Sequence, residues 1–218
     1  MVELSTCEHG SEKPKYLVIL LHGYGANAEN LIDLAFEFQS IIPDAYFIAP
    51  NAIEPWEGGF PNCYQWFSLY SGVERKVLEK LAPNIRKSNQ ILLSFINQQL
   101  NRFHLTPDKL ILVGFSQGSM MAMYQSLIMT NKIAGVISFS GKVVEPNLVG
   151  DKIISKSPIC LIHGTIDSVL PFECFNEAQK ILNKHGIDFE AHAIPKLDHT
   201  IDGRAIAIAK NYLSKIIH

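Results

Sequence analysis

The sequence predicts an α/β fold in which helices cover both faces of a mostly parallel central sheet. Short apolar runs suited to buried strands recur along the chain, and segments whose apolar residues have helical spacing lie between them. This alternation is typical of a parallel sheet wrapped on both sides. Strands buried on both faces read as continuous apolar runs, as these do. The predicted strands are YLVILL (16–21), AYFIA (45–49), KLILVGF (109–115), IAGVISFS (133–140), PICLIHG (158–164) and FEAHAI (189–194).

Helices are predicted where apolar residues recur three and four positions apart. Pro83 fits the first turn of a helix, where its missing N–H costs no hydrogen bond, and Gly186 fits a C-terminal cap. The segment VELSTCE (2–8) would add an antiparallel strand at one edge of the sheet. The predicted helical segments are 31–38, 91–103, 120–128, 175–182 and 206–217.

The chain of 218 residues is predicted to form one domain, residues 1–218, because it shows no internal repeat, low-complexity segment or Pro/Ser-rich linker. A hydrophobic content of 47% with 18% charged residues is ordinary for a globular protein and excludes a disordered one. Two connections, 51–83 and 142–157, are longer than this layout needs. Neither has the length of a large cap domain.

Composition and charge exclude several classes of function. The formal net charge is −2 and no run of lysines or arginines occurs, so no nucleic-acid partner is expected. The N-terminal residues lack the apolar stretch of a signal peptide, and YLVILL is too short to span a bilayer. We therefore expect a cytoplasmic protein without stable membrane insertion. The four cysteines show no zinc-binding spacing, so neither a metal site nor a disulfide framework is expected.

The stretch VGFSQGSM (113–120) places Ser116 between Gly114 and Gly118, where a predicted strand ends and a helix begins. An ordinary glycine-rich turn is one interpretation. The other is a nucleophile elbow, in which G-x-S-x-G holds a serine on a strained strand-to-helix turn. The two glycines would then avoid clashes with the neighbouring strand and helix. The position of the motif favours the elbow.

A serine nucleophile needs a base, and the base needs an acid that orients it. In this layout the expected order along the chain is serine, acid, histidine. Asp167 follows the strand 158–164 at its carboxyl end, and His199 lies between the last strand and the last helix. The other acids considered lie at the wrong end of a strand, begin a helix or stand too close in sequence to His199. They are Asp151, Glu173, Asp188, Asp198 and Asp202.

The remaining histidines have less positional support as a base. His22 and His163 each precede a glycine at a strand end, where an imidazole that bonds a loop is the simpler interpretation. His192 lies inside a strand and His185 at a helix end. The others are His9, His104 and His218.

Ester cleavage creates an oxyanion, which needs backbone N–H donors fixed in advance. The residue after the nucleophile, Gln117, normally gives one. The loop LHGYGAN (21–27) is the candidate for the second, because Gly23 and Gly25 permit a tight turn that presents the Tyr24 N–H. By itself HGYG would be a plain glycine turn, but together with GFSQG it completes an oxyanion hole.

The ordered set LHGYGAN, WFS, GFSQGSM, FSGKVVEP, HGTIDSVLP and DHTI resembles the phospholipase/carboxylesterase family, a compact group of α/β-hydrolases that includes acyl-protein thioesterases. The similarity runs over nearly the whole chain. It implies the α/β-hydrolase fold, a triad of Ser116, Asp167 and His199, and an oxyanion hole at the Tyr24 and Gln117 N–H groups. It also implies hydrolysis of carboxylic esters or thioesters without a metal or organic cofactor.

Two positions depart from the pattern of that family. Ser68 stands where members often have an aspartate after the WF pair, and Tyr24 stands where leucine is frequent. Both positions lie near the predicted entry of the substrate. The departures therefore weaken the transfer of substrate identity more than the transfer of chemistry.

The expected substrate is a small-molecule or lipid ester. Trp66, Phe67 and Tyr70 would offer an apolar wall to an acyl chain or an aromatic leaving group, or would simply pack their loop onto the domain. Val144 and Leu170 would line a second wall, with contacts inside the core as the alternative.

The features together favour a carboxylesterase that forms an acyl-enzyme intermediate. A thioesterase or lysophospholipase acting on long acyl chains is the alternative, and it would need an apolar channel between the two long connections. A catalytically inactive fold used for binding is the third, and the complete serine, acid and histidine set argues against it. Exposed apolar loop surface would support a weak homodimer.

Overall fold

A computed structural model describes residues 3–69, 75–145 and 153–217 of the chain. In these residues the strands of the main sheet are β1 (Thr6–Gly10), β2 (Tyr16–Leu21), β3 (Ala45–Pro50), β6 (Leu110–Phe115), β7 (Gly135–Phe139), β8 (Ile159–Gly164) and β9 (Phe189–Ile194), and β4 (Glu54–Pro55) pairs with β5 (Tyr64–Gln65) in a separate hairpin. The main sheet has seven strands in the order β1-β3-β2-β6-β7-β8-β9. Every neighbouring pair is parallel except β1 with β3. The predicted antiparallel edge strand is thus present, displaced towards the C-terminus.

The helices lie where apolar periodicity predicts them, with longer bounds. They are α1 (Glu29–Phe38), α2 (Arg75–Arg102), α3 (Gln117–Ile128), α4 (Glu173–Lys184) and α5 (Gly203–Ile216). The cap predicted at Gly186 is confirmed, because its φ is +62° and its N–H donates to the Asn183 carbonyl at 3.1 Å. Among the described residues, no helix combines the length and the apolar character that crossing a membrane requires.

The core consists of two apolar layers, one on each face of the sheet. Alternate residues of a strand point to opposite faces, so β2 sends Leu17, Ile19 and Leu21 into one layer and Tyr16, Val18 and Leu20 into the other. The first layer includes buried residues of α2, α3 and α4, and the second includes those of α1 and α5. This arrangement confirms an α/β-hydrolase layout with helices on both faces, and the described residues contain no large cap domain.

The prediction that Pro83 lies in the first turn of a helix is wrong. The helix α2 begins at Arg75, so Pro83 lies in its interior. A proline there removes one backbone hydrogen bond and costs about 3 kcal/mol. Burial of Leu81, Ala82 and Ile85 offsets that cost by packing the same turn into the core. The connection after β3 therefore ends before Arg75, and it is shorter than the expected 51–83.

Candidate active site

Four loops that carry predicted functional residues meet at one edge of the sheet. They follow β2, β6, β8 and β9, which run parallel to one another, so their carboxyl ends lie on the same side. Ligands of open α/β sheets bind outside the carboxyl ends of the strands. The loops bring Tyr24, Ser116, Asp167 and His199 to this edge.

Ser116 lies on a strained turn between β6 and α3. Its φ of 55° and ψ of −117° are sparsely populated for an L-residue. The surrounding backbone holds this conformation: the Ser116 N–H donates to the Phe139 carbonyl at 3.0 Å, and the Met120 N–H donates to the Ser116 carbonyl at 3.1 Å. Strain of this kind, held by the fold, is what a nucleophile elbow requires.

Gly114 and Gly118, two positions before and after Ser116, lie so close to neighbouring backbone that only glycine fits. A Cβ atom on Gly118 would lie 1.9 Å from the Leu21 carbonyl oxygen. One on Gly114 would lie 2.4 Å from the Gly118 carbonyl oxygen. A side chain at Gly118 would have to separate α3 from β2, and one at Gly114 would have to separate α3 from β6. An ordinary glycine-rich turn has no such requirement, so the geometry is that of the elbow.

A continuous chain of hydrogen bonds joins Ser116, His199 and Asp167. The Ser116 hydroxyl donates to Nε2 of His199 at 2.9 Å, and Nδ1–H of His199 donates to Oδ2 of Asp167 at 2.8 Å. A carboxylate only accepts, so Nδ1 carries the proton and Nε2 is left as the acceptor. Ser116 is 9% exposed and the Asp167 side chain is fully buried. The arrangement can move a proton from the serine to the imidazole.

The Asp167 carboxylate is held in its charged form. Burial raises its pKa, but hydrogen bonds from His199 and from the backbone N–H groups of Leu170 and Val169 outweigh burial and leave the pKa below its usual range. Both backbone bonds go to Oδ1, at 2.7 Å from Leu170 and 3.0 Å from Val169. The carboxylate therefore stays ionised at neutral pH, with Oδ2 directed at His199.

Two residues that sequence reasoning set aside support the triad geometry. The His163 Nε2–H donates to the Leu170 carbonyl at 2.9 Å and lies 3.4 Å from Oδ2 of Asp167. Oδ1 of Asp198 accepts from the Ser168 N–H and hydroxyl, each at 2.8 Å, and from the His199 N–H at 2.7 Å. Asp198 thus ties the loop of Asp167 to the loop of His199. Its place beside His199 was visible in the sequence, but its partner thirty positions earlier was not.

The two residues predicted to supply the oxyanion donors, Tyr24 and Gln117, belong to segments that lie next to Ser116. Gln117 is the first residue of α3, and the first N–H groups of a helix have no acceptor inside the helix. The loop that carries Tyr24 is fixed against β5 by two backbone bonds of 2.9 Å, from the Gly25 N–H to the Tyr64 carbonyl and from the Tyr64 N–H to the Ala26 carbonyl. A Cβ atom on Gly23 would lie 3.4 Å from Cβ of Ser116, which places this loop directly beside the serine.

The buried His22 side chain also fixes this loop. Its Nδ1–H donates to the Gly23 carbonyl at 2.7 Å, and its Nε2 accepts from the Ala52 N–H at 2.9 Å. Burial lowers the pKa of His22 to about 4, against a smaller opposing effect of the bond to Gly23. Only the neutral ring can satisfy both partners, because a proton on Nε2 would face another donor. The structure thus gives His22 the loop-bonding role that its position suggested.

The buried His22 should make the stability of the protein depend on pH. Between pH 6.5 and about 4 the unfolded chain binds a proton at His22 that the folded chain does not. As the pH is lowered through this interval, the free energy of unfolding should therefore fall, and His22 should contribute up to about 3 kcal/mol to that fall. In a His22→Asn variant, urea unfolding at several pH values should give a shallower fall.

An exposed histidine provides the control for this measurement. A His104→Asn variant reports the effect of losing an imidazole from the surface. If His22→Asn showed the same pH slope as the wild-type chain, the assignment of the slope to His22 would be wrong.

The residues predicted to line the substrate site differ in exposure. Trp66 and Phe67 are fully buried, and the Trp66 indole N–H donates to the His22 carbonyl at 2.9 Å. Val144 is buried, and Leu170 is partly buried beside Asp167. Tyr70 lies outside the described residues. The role of these residues towards a substrate stays a prediction.

Some apolar side chains that sequence reasoning did not assign to the site are exposed close to its residues in sequence. Leu69 follows Ser68, and Ile166 and Val169 flank Asp167. In the sequence each of these apolar residues directly follows a polar residue, so no pattern marked them. Among the described residues, no group of three or more His, Cys, Asp or Glu side chains is arranged to hold a metal ion.

A strained serine after a central parallel strand, with an acid and a histidine after later strands, defines an α/β-hydrolase. The model of the phospholipase/carboxylesterase family matches residues 3–217. The chain belongs to this family and is a hydrolase that acts on esters.

Individual relatives agree with this assignment. The crystal structure of esterase PE8 has a TM-score of 0.93 and 35% identity to this chain, covering 99% of this chain and 100% of that one. Acyl-protein thioesterase 1 of Debaryomyces hansenii is 24% identical and covers 93% of this chain and 92% of its own length. Esterase YpfH of Escherichia coli is 25% identical over 93% of this chain and 84% of its own length.

Proposed function

We propose that this chain is a carboxylesterase in which Ser116 is the nucleophile, His199 the general base and Asp167 the acid that orients the base. The observation that carries the proposal is the hydrogen-bond chain from the Ser116 hydroxyl through His199 to Asp167. Its support is the elbow geometry of Ser116 and the buried, charged carboxylate behind the imidazole. A binding protein would have no need for all three groups in hydrogen-bonded order.

In the first half of the proposed reaction, the Ser116 oxygen attacks the carbonyl carbon of the ester while its proton passes to Nε2 of His199. The carbonyl oxygen becomes an oxyanion, and the N–H groups of Tyr24 and Gln117 would donate to it. The tetrahedral intermediate collapses by breaking the bond to the leaving alcohol, which takes the proton from His199. An acyl-enzyme at Ser116 remains.

In the second half, a water molecule attacks the acyl-enzyme and His199 takes a proton from the water. A second tetrahedral intermediate uses the same two N–H donors. Its collapse returns the proton to the Ser116 oxygen and releases the carboxylic acid. The Asp167 carboxylate stays charged throughout and stabilises the imidazolium that forms in each half.

A second candidate is a thioesterase or lysophospholipase that acts on long acyl chains. Two observations favour it: several relatives carry the name acyl-protein thioesterase 1, and the apolar side chains of Leu69, Ile166 and Val169 are exposed next to site residues. The same triad would also cleave a thioester, because a thiolate is a better leaving group than an alkoxide. Since the triad does not distinguish the two candidates, the length of the preferred acyl chain is the property that separates them.

Initial rates with p-nitrophenyl esters from acetate to palmitate test the proposal, beside labelling with a fluorophosphonate and identification of the modified residue. We expect a short-chain optimum and a label on Ser116. An optimum at long chains, with the same label, would replace the carboxylesterase by the second candidate. If neither hydrolysis nor labelling occurred, the proposal would fail, and the chain would be an inactive hydrolase fold used for binding.

A further inference from the structure

The Glu57 carboxylate connects the loop of Tyr24 to the segment that follows Phe67. Oε1 accepts from the Tyr24 phenol in a short hydrogen bond, and it also accepts from the Leu69 N–H at 3.0 Å. Oε2 accepts from the Ser68 hydroxyl at 2.5 Å. The two positions at which the chain departs from its family pattern, Tyr24 and Ser68, therefore share one carboxylate.

Glu57 is itself held in place by the β4–β5 hairpin. Its N–H donates to Oε1 of Gln65 at 3.0 Å, and the neighbouring Trp56 N–H donates to the Cys63 carbonyl at 2.8 Å. The Trp56 ring meets the Tyr24 ring edge to face, with centroids 5.9 Å apart. The Tyr24 side chain is thus fixed by a hydrogen bond at its tip and by an aromatic contact along its length.

The hydrogen bonds to Glu57 are charge-assisted. Burial raises the pKa of Glu57, but the bonds from Ser68, Tyr24 and the Leu69 N–H outweigh it and leave the pKa below its usual range. The carboxylate is therefore charged at neutral pH. Hydrogen bonds to an ionised acceptor are roughly twice as strong as neutral ones. Three such bonds hold two separate loops in one relative position.

The segment after β5 is fixed from its inner side by Gln117. Oε1 of this side chain accepts from the Trp66 N–H at 2.8 Å, and its Nε2–H donates to the Phe67 carbonyl at 2.7 Å. Gln117 and Tyr24 are the two proposed oxyanion donors. One donor residue thus holds the segment directly, and the other is joined to the same segment through Glu57.

We propose that Glu57 is a positioning residue of the oxyanion hole: its carboxylate holds Tyr24 against Ser68 and Leu69, so that the Tyr24 N–H stays where the oxyanion forms. The inference rests on the proposed function, because it needs Tyr24 as a donor. Donors of this kind act only if they are fixed before the charge develops. Loss of the Glu57 charge should therefore weaken the transition state more than the binding of the substrate.

The test compares Glu57→Gln, Tyr24→Phe and the double variant with a matched control, Glu37→Gln. Glu37 lies on α1, outside the hairpin, and its exposed carboxylate accepts from the Lys210 ammonium at 2.7 Å. For each variant, kcat, KM, the midpoint of thermal unfolding and the inhibition constant of a trifluoromethyl ketone are measured. The serine oxygen adds to the carbonyl carbon of the ketone, and the product is a tetrahedral oxyanion. The affinity of the ketone therefore reports how well the oxyanion hole binds that charge.

We expect each single variant to lower kcat roughly 10- to 100-fold and to weaken the ketone similarly, with KM within about twofold. The double variant should be no worse than the more damaged single variant, because both changes break the same contact. The control should behave as the wild-type chain. Lower thermal stability with unchanged kcat, or fully additive effects on kcat, would overturn the inference.

The proposed function is tested separately by a Ser116→Ala variant. If that variant kept full activity, the proposed function would fail whatever Glu57 does. If Ser116→Ala lost activity while Glu57→Gln kept wild-type kcat and ketone affinity, only the role of Glu57 would fail.

Discussion

Replacement of Ser116 by alanine should lower kcat towards esters by roughly 10⁴- to 10⁶-fold while the chain stays folded. The Ser116 hydroxyl is the group that lies 2.9 Å from Nε2 of His199, and alanine removes it without adding any atom to the elbow. The strained φ of 55° is held by backbone bonds to Phe139 and Met120, which alanine keeps. Steady-state kinetics, with circular dichroism to verify the fold, measure both parts of the expectation.

Ser119 provides a matched control. It lies one turn further along α3, is fully buried, and its hydroxyl pairs with that of Ser138 at 2.5 Å. Ser119→Ala makes the same chemical change away from His199, so kcat should change by only a few fold. If Ser116→Ala retained wild-type kcat, another nucleophile would have to carry the reaction and the proposed triad would be wrong.

Replacement of Gly118 by alanine should cost roughly 3 kcal/mol or more of the free energy of unfolding, and it should also disrupt the site. The added Cβ would lie 1.9 Å from the Leu21 carbonyl oxygen and 2.5 Å from that of His22. Both contacts are with backbone atoms, so no side-chain rotation relieves them. The helix α3 would have to move away from β2. Urea unfolding, followed by fluorescence, measures the loss.

Gly203 gives the comparison for this change. It is the first residue of α5, and a Cβ atom there would have no other atom within 4 Å. Gly203→Ala should leave stability unchanged or raise it slightly, because alanine loses less conformational entropy than glycine in a helix. Equal stability of the two variants would show that the contact at Gly118 can relax, contrary to our interpretation of the elbow.

The periodicity of apolar residues was sufficient to predict the layers of the fold. Strands that are buried on both faces, such as YLVILL, carry no polar positions, and helices that cover one face show a single apolar side. Rules based on single residues, such as the preference of proline for the start of a helix, were less reliable where tertiary packing opposes them. Pro83 fits a helix start by its backbone chemistry, yet burial of the residues around it keeps it in the interior of α2.

The order of residues along the chain also predicted which groups meet at the candidate site. Since parallel strands place their carboxyl ends on one edge, residues that follow β6, β8 and β9 must lie along the same edge of the sheet. Ser116, Asp167 and His199 are in these positions, and the structure brings them within hydrogen-bond distance.

By itself the sequence determined the fold class, the family and the group of residues at the carboxyl edge, because these follow from repeating patterns and from topology. Only the tertiary structure decided how that group is supported. The sequence suggested that His22 bonds a loop, but it did not identify Gly23 and Ala52 as the partners. The bridge of Asp198 to Ser168 and the meeting of Tyr24 and Ser68 at Glu57 were not predicted. Most of these contacts join residues about ten to more than thirty positions apart through single side chains. Such contacts have no period and no motif, so only the packed loops reveal them.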